Sequence, residues 1–321
     1  MTYHGLLDHP RDTYGTARDT RNKLSINTLG AFKGKNTTVP PFSPTPLSDS
    51  GTGHPVLVPH QHVISRSFNS YAANPLACWL IDLFKPYFPV SYLEGYLRYR
   101  GVGTSKLYGG STVFWQRDEQ LRIRGGKIMA YDPLTGKRIK NPRPLMTWVH
   151  SLRGTVPEGY ELKQYFFGTH VAALLPEATL WLFESEKAAL VTHLFLMAFG
   201  EEWVQNVVCM AMGGCSNLRP TDWNMNDPAD RHYVLRRRRI VLFPDEGKTD
   251  EWKQAADVLR SYCPSVALVP LERPQFQFPS LTKLTEMIAV TVQEGDGFDD
   301  IVLRLLPHPE LAPALAASLK G

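Results

Sequence analysis

The chain has 321 residues, of which 43% are hydrophobic and 21% charged, as expected of a folded globular protein rather than a fibrous or wholly disordered one. Its formal net charge of +4 at pH 7 is compatible with a polyanionic partner but does not require one. No apolar run approaches the roughly 18 residues of a membrane span, and the N-terminus lacks the apolar core of a signal peptide. We therefore expect a cytoplasmic protein that does not associate with a membrane.

Residues 1–62 are rich in Pro, Ser, Thr, Gly and Asn. A segment of this composition buries too little apolar surface to offset the entropy lost on ordering, so it is predicted to be a disordered arm.

Residues 63–175 are predicted to form an α+β domain. Apolar residues recur at helical spacing between Ser70 and Tyr99, which indicates two helices separated around Pro86 and Pro89. Between Lys106 and His150 the apolar period changes to two, which predicts an antiparallel β-meander. The α+β domain is therefore a helical part followed by a sheet.

Residues 176–272 alternate short apolar strands with amphipathic helices, the pattern of βαβ units on a parallel sheet with flanking helices. The overall fold class is thus α/β. For the tail, residues 273–321, the spacing predicts a helix over 280–294 and two further helices over 298–306 and 309–319.

Acidic residues follow two of the predicted parallel strands. TLWLF runs into Glu184, and RIVLFP runs into Asp245 and Glu246. Carboxyl ends of parallel strands meet at one edge of the sheet, and hard oxygen ligands at an open site suit Mg²⁺. The alternative is that these acids only cap the structures that follow them.

The segment from Arg98 to Arg143 contains eleven Lys or Arg residues against three acids. Arg122 and Arg124 lie two residues apart, on one face of a strand, and with Lys127 they could line a groove for a phosphate backbone. Lys137 and Arg138 follow in the next predicted turn. A solvated sheet face is the alternative for these charges.

Four aromatic residues lie among these charges and could stack on unpaired bases. The apolar surroundings of Trp115 and Trp148 favour a core position for the group, which consists of Tyr99, Trp115, Tyr131 and Trp148.

Three segments together resemble the toprim domain of primases and topoisomerases: WLFESEKAAL, VVCMAMGG and IVLFPDEG. More closely, the chain from about Asn69 to Leu306 is similar to an uncharacterised toprim-like family encoded on mobile elements of Bacteroidetes. The matching segments include RYRGVGTSK, VFWQRDEQLRIRGGKIMAYDPLTGKR and FPDEGKTDEW. The resemblance implies a primase-like protein of DNA replication, with Glu184 and Asp245 catalytic.

The resemblance also implies Mg²⁺ or Mn²⁺ as cofactor, bound by Glu184 and Asp245. From their positions in the sequence, Glu246 is a further candidate metal ligand, and Lys187, one turn into the helix after Glu184, could neutralise a phosphate near the metal. The expected partners of the protein are DNA, in single-stranded form, and a helicase or another replication or mobilisation protein. Primases often begin with a cysteine-rich zinc module, but the four cysteines here form no CxxC pair, so no zinc is expected.

The sequence departs from the toprim pattern at Gly247, where the family has the second aspartate of an Asp-x-Asp pair. Asp299 and Asp300 are candidates to replace it, although solvation of a loop is the favoured interpretation of these two acids. Three functions stay open: a primase-like nucleotidyltransferase, a DNA-binding protein with a degenerate site, and a toprim nuclease.

Overall fold

The structure is a computed structural model that describes residues 57–199, 202–214, 217, 220, 223–272, 275–279 and 287–308. Most of the predicted disordered arm, Cys215 and the predicted helix at 309–319 lie outside the described residues. Within the described part, no helix combines the length and apolar content needed to cross a membrane.

The described residues form seven α-helices and ten β-strands. The helices are α1 (Gln61–Ser67), α2 (Pro75–Phe84), α3 (Val90–Arg100), α4 (Thr169–Leu174), α5 (Glu186–Phe199), α6 (Thr249–Leu259) and α7 (Phe298–Leu305). The strands are β1 (Val102–Ser105), β2 (Ser111–Arg117), β3 (Ile123–Met129), β4 (Met146–Trp148), β5 (Thr179–Phe183), β6 (Val207–Ala211), β7 (Arg239–Phe243), β8 (Ser265–Leu268), β9 (Gln275–Pro279) and β10 (Met287–Thr291).

Strands β1 to β4 form an antiparallel sheet in chain order, which confirms the predicted meander. Helices α2 and α3 precede it and are separated by Pro86 and Pro89, as predicted. Helix α3 ends at Gly101, whose φ of 81° is one that few other residues adopt. Strand β1 was not predicted, because four residues are too few to establish a period.

Strands β5 to β8 form a parallel sheet in the order β6-β5-β7-β8, which confirms the predicted α/β class. Alternate side chains of β5 and β7, such as Leu182 and Leu242, pack with Trp252 of α6 in one core. The two central strands, β5 and β7, are direct neighbours, and Phe183 pairs with Phe243 at their carboxyl ends.

The predicted helix at 280–294 is wrong over its described part. Residues 287–291 form β10, which pairs antiparallel with β9. The sequence MIAVTV carries four β-branched residues, and a pairing partner nearby makes their strand preference decisive. The helix predicted over 298–306 is confirmed as α7.

A buried arginine joins α3 to the parallel sheet. Arg100 donates a hydrogen bond to the carbonyl of Cys209 in β6, and a second guanidinium nitrogen lies 3.4 Å from Nδ1 of His193 in α5. Tyr96 also hydrogen-bonds this nitrogen, at 3.1 Å. Because arginine only donates, the His193 Nδ1 is an acceptor. Burial, reinforced by the charge of Arg100, lowers the pKa of His193 to about 3.

Candidate acidic site and nucleic-acid interface

Glu184 and Asp245 meet at the carboxyl edge of the parallel sheet. Glu184 directly follows β5, and Asp245 follows β7 after one proline. Their side chains are hydrogen-bonded to each other. Burial raises the pKa of Asp245 to about 8, and the charges of Glu184 and Asp299 add to the rise. The strand ends therefore converge, as the sequence predicts.

Helix α7 brings two further acids to this edge. Its first residue, Phe298, packs with ring centroids 4.7 Å from Phe243 and 6.1 Å from Phe183. The next residue, Asp299, is buried, and its charge acts on Asp245, as does that of Asp300. The favoured interpretation of these acids as loop solvation is therefore wrong, because the aromatic contacts of Phe298 place α7 over the strand ends.

A small space separates two of these carboxylates. A Cβ atom on Gly297 would lie 2.7 Å from Oδ1 of Asp299 and 3.1 Å from Oδ1 of Asp245. A side chain at position 297 would thus occupy the region into which both oxygens are directed. We name the set Glu184, Asp245, Asp299 and Asp300 the acidic cluster.

Lys187 is the cation paired with this cluster, rather than an open phosphate contact. Its Nζ lies 2.7 Å from Oδ2 of Asp299, and the side chain is only 12% exposed. The ammonium also lies 5.8 Å from the ring centroid of Trp79 in α2. Burial is the largest single influence and would lower the pKa of Lys187, but the charge and hydrogen bond of Asp299, together with the charges of Asp300 and Asp245, outweigh it, and the pKa is raised.

Glu246, a predicted metal ligand, contacts the turn before α7. Its Oε2 accepts a hydrogen bond from Gly295 N at 3.1 Å, and its backbone N donates to the Asp296 carbonyl at 2.8 Å. These contacts connect the loop after β7 to the turn before α7. Sequence proximity to Asp245 suggested a metal ligand, whereas the structure directs this carboxylate to the turn that carries Asp299.

Three of the predicted phosphate contacts are engaged in ion pairs. Arg122 and Arg124 both reach Oδ2 of the buried Asp118, at 2.7 Å and 3.4 Å. Lys127 is buried and lies 3.1 Å from both carboxylate oxygens of Glu186 and 3.3 Å from the Gly213 carbonyl. The three cations therefore do not form the open groove expected from the number of basic residues. Arg122 and Arg124 share Asp118 as their partner, and Lys127 has Glu186.

Lys137 and Arg138 are exposed, on a hairpin that we name the basic hairpin, residues 131–138. Tyr131 pairs with Arg138 across its base, and Gly136 packs so closely on Trp79 that a Cβ there would lie 2.5 Å from the ring. The pKa of Tyr131 is raised well above its usual value, first by burial and then by the charge of Glu186. Asp299 contributes as well, so the base of this hairpin lies near the acidic cluster.

The aromatic residues separate into two groups. Trp115 and Tyr131 are buried, which agrees with the core interpretation. Tyr99 and Trp148 are partly exposed. His150 and Tyr160, which the sequence did not single out, are also partly exposed and lie near Trp148.

The residues of the acidic cluster fit Mg²⁺ by their chemistry, because all are hard oxygen donors, and oxygens of Asp245 and Asp299 lie close to the same position beside Gly297. Within the described residues, no three His, Cys, Asp or Glu side chains already converge as a closed metal site. An arrangement of two carboxylates, completed by water and phosphate, is the usual mode for Mg²⁺.

These observations define a mixed α/β protein with an acidic cluster at the carboxyl edge of a parallel sheet. The chain belongs to the family described as Domain of unknown function (DUF6371), which matches residues 74–246. The match includes Glu184 and Asp245 and ends before α7. No curated protein matches the chain.

Two solved structures are similar to the chain. One is the primase fragment of the bacteriophage T7 primase-helicase protein, with 16% identity, a TM-score of 0.35, and coverage of 55% of this chain and 60% of that one. The other is the Aquifex aeolicus primase, zinc-binding and RNA polymerase domains, with 15% identity, a TM-score of 0.35, and coverage of 73% and 48%. The chain thus spans less than two thirds of either, and the interpretation of the site depends on its own topology and residues.

Proposed function

We propose that the protein is a metal-dependent phosphoryl-transfer enzyme acting on single-stranded DNA, in the manner of a primase. In this proposal Glu184 and Asp245 hold Mg²⁺ or Mn²⁺, and Asp299 takes the place of the aspartate that Gly247 replaces. The bound ion would neutralise charge on a phosphate and orient the attacking oxygen. The chain's own residues would bind, orient and shield the reacting groups.

The convergence of Glu184 and Asp245 is the observation that carries this proposal. Two partly buried carboxyl groups held this close are unfavourable without a cation, since the charge of Glu184 raises the energy of the ionised form of Asp245. A divalent cation would relieve that repulsion, which is the arrangement expected of an ion-binding site. A role as helix caps does not require the two side chains to touch.

The basic hairpin supports DNA as the substrate. Lys137 and Arg138 are exposed near the cluster, at a position where they can contact phosphates without breaking an ion pair. Arg122, Arg124 and Lys127 would then act mainly by shaping the antiparallel sheet, and Lys187 by balancing charge at Asp299. A helicase partner and a role on a mobile element remain predictions from the sequence.

The test measures turnover and binding on labelled single-stranded DNA with nucleotides and Mg²⁺ or Mn²⁺. We expect Glu184→Gln and Asp245→Asn each to reduce product formation by at least about 100-fold, because the charge stabilisation supplied by a metal amounts to several kcal/mol. Asp250→Asn is the matched control, since Asp250 starts α6 with its side chain 93% exposed. Products longer than the input nucleotides indicate synthesis, and shortened DNA indicates a nuclease.

The same DNA tests the hairpin. The double variant Lys137→Gln/Arg138→Gln should weaken DNA binding. It should also reduce the slope of log Kd against log salt concentration by roughly 1.4, as expected for the loss of two phosphate contacts to a single strand. Binding that is salt-sensitive but yields no product, with Glu184→Gln unchanged, would instead favour a DNA-binding protein with a degenerate site. The departure at Gly247 is the observation on which that second candidate depends.

A further inference from the structure

Three partly exposed rings form a continuous row at the end of the antiparallel sheet. The ring centroids of Trp148 and His150 are 6.2 Å apart with an angle of 42° between planes. Those of His150 and Tyr160 are also 6.2 Å apart, with an angle of 32°. All three residues retain some solvent exposure. We name this set the aromatic row.

The backbone fixes the aromatic row in place. Trp148 ends β4, and the residue after it, Val149, is buried in a core cluster with Trp115. Because strand side chains alternate, Trp148 lies on the face opposite this core. The Tyr160 hydroxyl donates a hydrogen bond to the Arg124 carbonyl, which holds the far end of the row against β3.

One end of the row is connected, through Lys127 and Gly213, to the backbone of Glu184. Trp148 lies directly across from Lys127 in the register of β3 and β4, so the two side chains share one face of the sheet. Lys127 reaches the Gly213 carbonyl, and the backbone N of Gly213 donates to the Glu184 carbonyl at 3.1 Å. The row therefore leads from the neighbourhood of Glu184 along the edge of the sheet.

We propose that the aromatic row stacks on the unpaired bases of a single-stranded nucleic acid and guides that strand to the acidic cluster. This inference depends on the proposed function for its partner and adds the path of the strand. Every base has a π-face, so rings in a row hold a strand without reading its sequence. Double-stranded DNA, whose bases are already stacked, offers no face to it.

The test distinguishes binding to the bases from binding to the phosphates. Binding is measured by fluorescence anisotropy on two labelled oligomers of equal length, one of deoxythymidine and one of abasic deoxyribose phosphate. Wild type should bind the first more tightly by roughly 5- to 150-fold for each base stacked. Trp148→Leu and His150→Leu should reduce that preference, whereas Trp148→Phe, which keeps a π-face, should largely retain it.

Tyr108→Leu is the matched control, since Tyr108 is an exposed ring at 41% that lies outside the row. Far-ultraviolet circular dichroism and thermal unfolding establish that each variant is folded. If Trp148→Leu does not fold, the binding of the two oligomers by wild type and by His150→Leu still decides whether the row stacks on bases.

Three outcomes are distinguishable. Equal binding of both oligomers by wild type would overturn the aromatic row while leaving the proposed DNA substrate intact. A base preference that the leucine variants reduce, in a protein that forms no product, would support the row and count against the catalytic proposal. No binding of either oligomer would overturn both.

Discussion

The two sheets of this protein treat their charged residues in opposite ways. In the antiparallel sheet Lys127 is paired with Glu186, and Arg122 with Asp118. At the carboxyl edge of the parallel sheet, the charges of three other acids act on Asp245, and Lys187 is paired with one of them, Asp299. The ion pairs of the first sheet are balanced, whereas the edge of the second carries an excess of like charge.

This difference indicates which charged residues stabilise the fold and which could bind a ligand. A buried pair that is neutral overall needs nothing further, and its loss is felt as instability. An excess of buried like charge is unfavourable until something neutralises it, which is common at functional sites. The number of basic residues alone pointed to the antiparallel sheet as the functional surface. The excess of acidic charge points instead to the carboxyl edge of the parallel sheet.

The largest expected effect follows from breaking the balanced pair. Lys127→Met leaves the Glu186 carboxylate buried without its partner, and we expect the free energy of unfolding to fall by about 3–5 kcal/mol. Glu186→Gln should destabilise the protein in the same direction. Urea unfolding followed by circular dichroism measures both.

The double variant Lys127→Met/Glu186→Leu is the control for this prediction. Replacing both charges by apolar groups should recover most of the lost stability. If either single variant is as stable as wild type, the pair is not structural, and Lys127 returns to the list of candidate phosphate contacts.

Most of the fold was predictable from local patterns. Glu184 and Asp245 could be placed on one edge because strand–helix alternation fixes parallel strands, and parallel strands end together. The helix predicted at 280–294 failed because an apolar run of that length fits either structure, and only the pairing of β10 with β9 decides.

A pH effect should appear at the junction between the two sheets. The folded-state pKa of His193 is about 3, below the ordinary 6.5 of the unfolded chain, so unfolding takes up a proton in that window. Stability is therefore lost as pH falls below about 6.5, by about 1–2 kcal/mol between pH 6.5 and pH 5 from this residue.

His193→Gln provides the comparison, because glutamine keeps an acceptor for Tyr96 and does not titrate. Urea unfolding of both proteins across this pH range should show a steeper loss for wild type. Parallel curves would mean that His193 is protonated in the folded protein despite its burial beside Arg100.

Which charged residues pair with each other was harder to predict from the sequence than which acids lie at the candidate site. Nothing in the local sequence shows that Lys127 meets Glu186, since 58 residues lie between them, and Lys127 lies in β3 whereas Glu186 begins α5. The arrival of Asp299 depends on Phe298 packing against Phe183 and Phe243, a contact between segments more than fifty residues apart. The hydrogen bond of Glu246 was unpredictable for the same reason, because its partner Gly295 is distant in the chain.

The smallest expected effect is a gain in stability rather than a loss. It is also the most direct test of the difference between the two sheets. Asp245→Asn removes one acid from the crowded edge while leaving an amide that can donate to Glu184, so in metal-free buffer we expect the protein to gain about 1 kcal/mol of stability. Chemical unfolding in the presence of a chelator measures it, with the exposed Asp250→Asn expected to change stability by less than about 0.5 kcal/mol. Because the same substitution should abolish product formation, a stabilised but inactive variant would show that the cluster is maintained for function at the expense of stability. Destabilisation by Asp245→Asn would instead mean that this edge is balanced like the antiparallel sheet, and the argument for a bound cation would lose its physical basis.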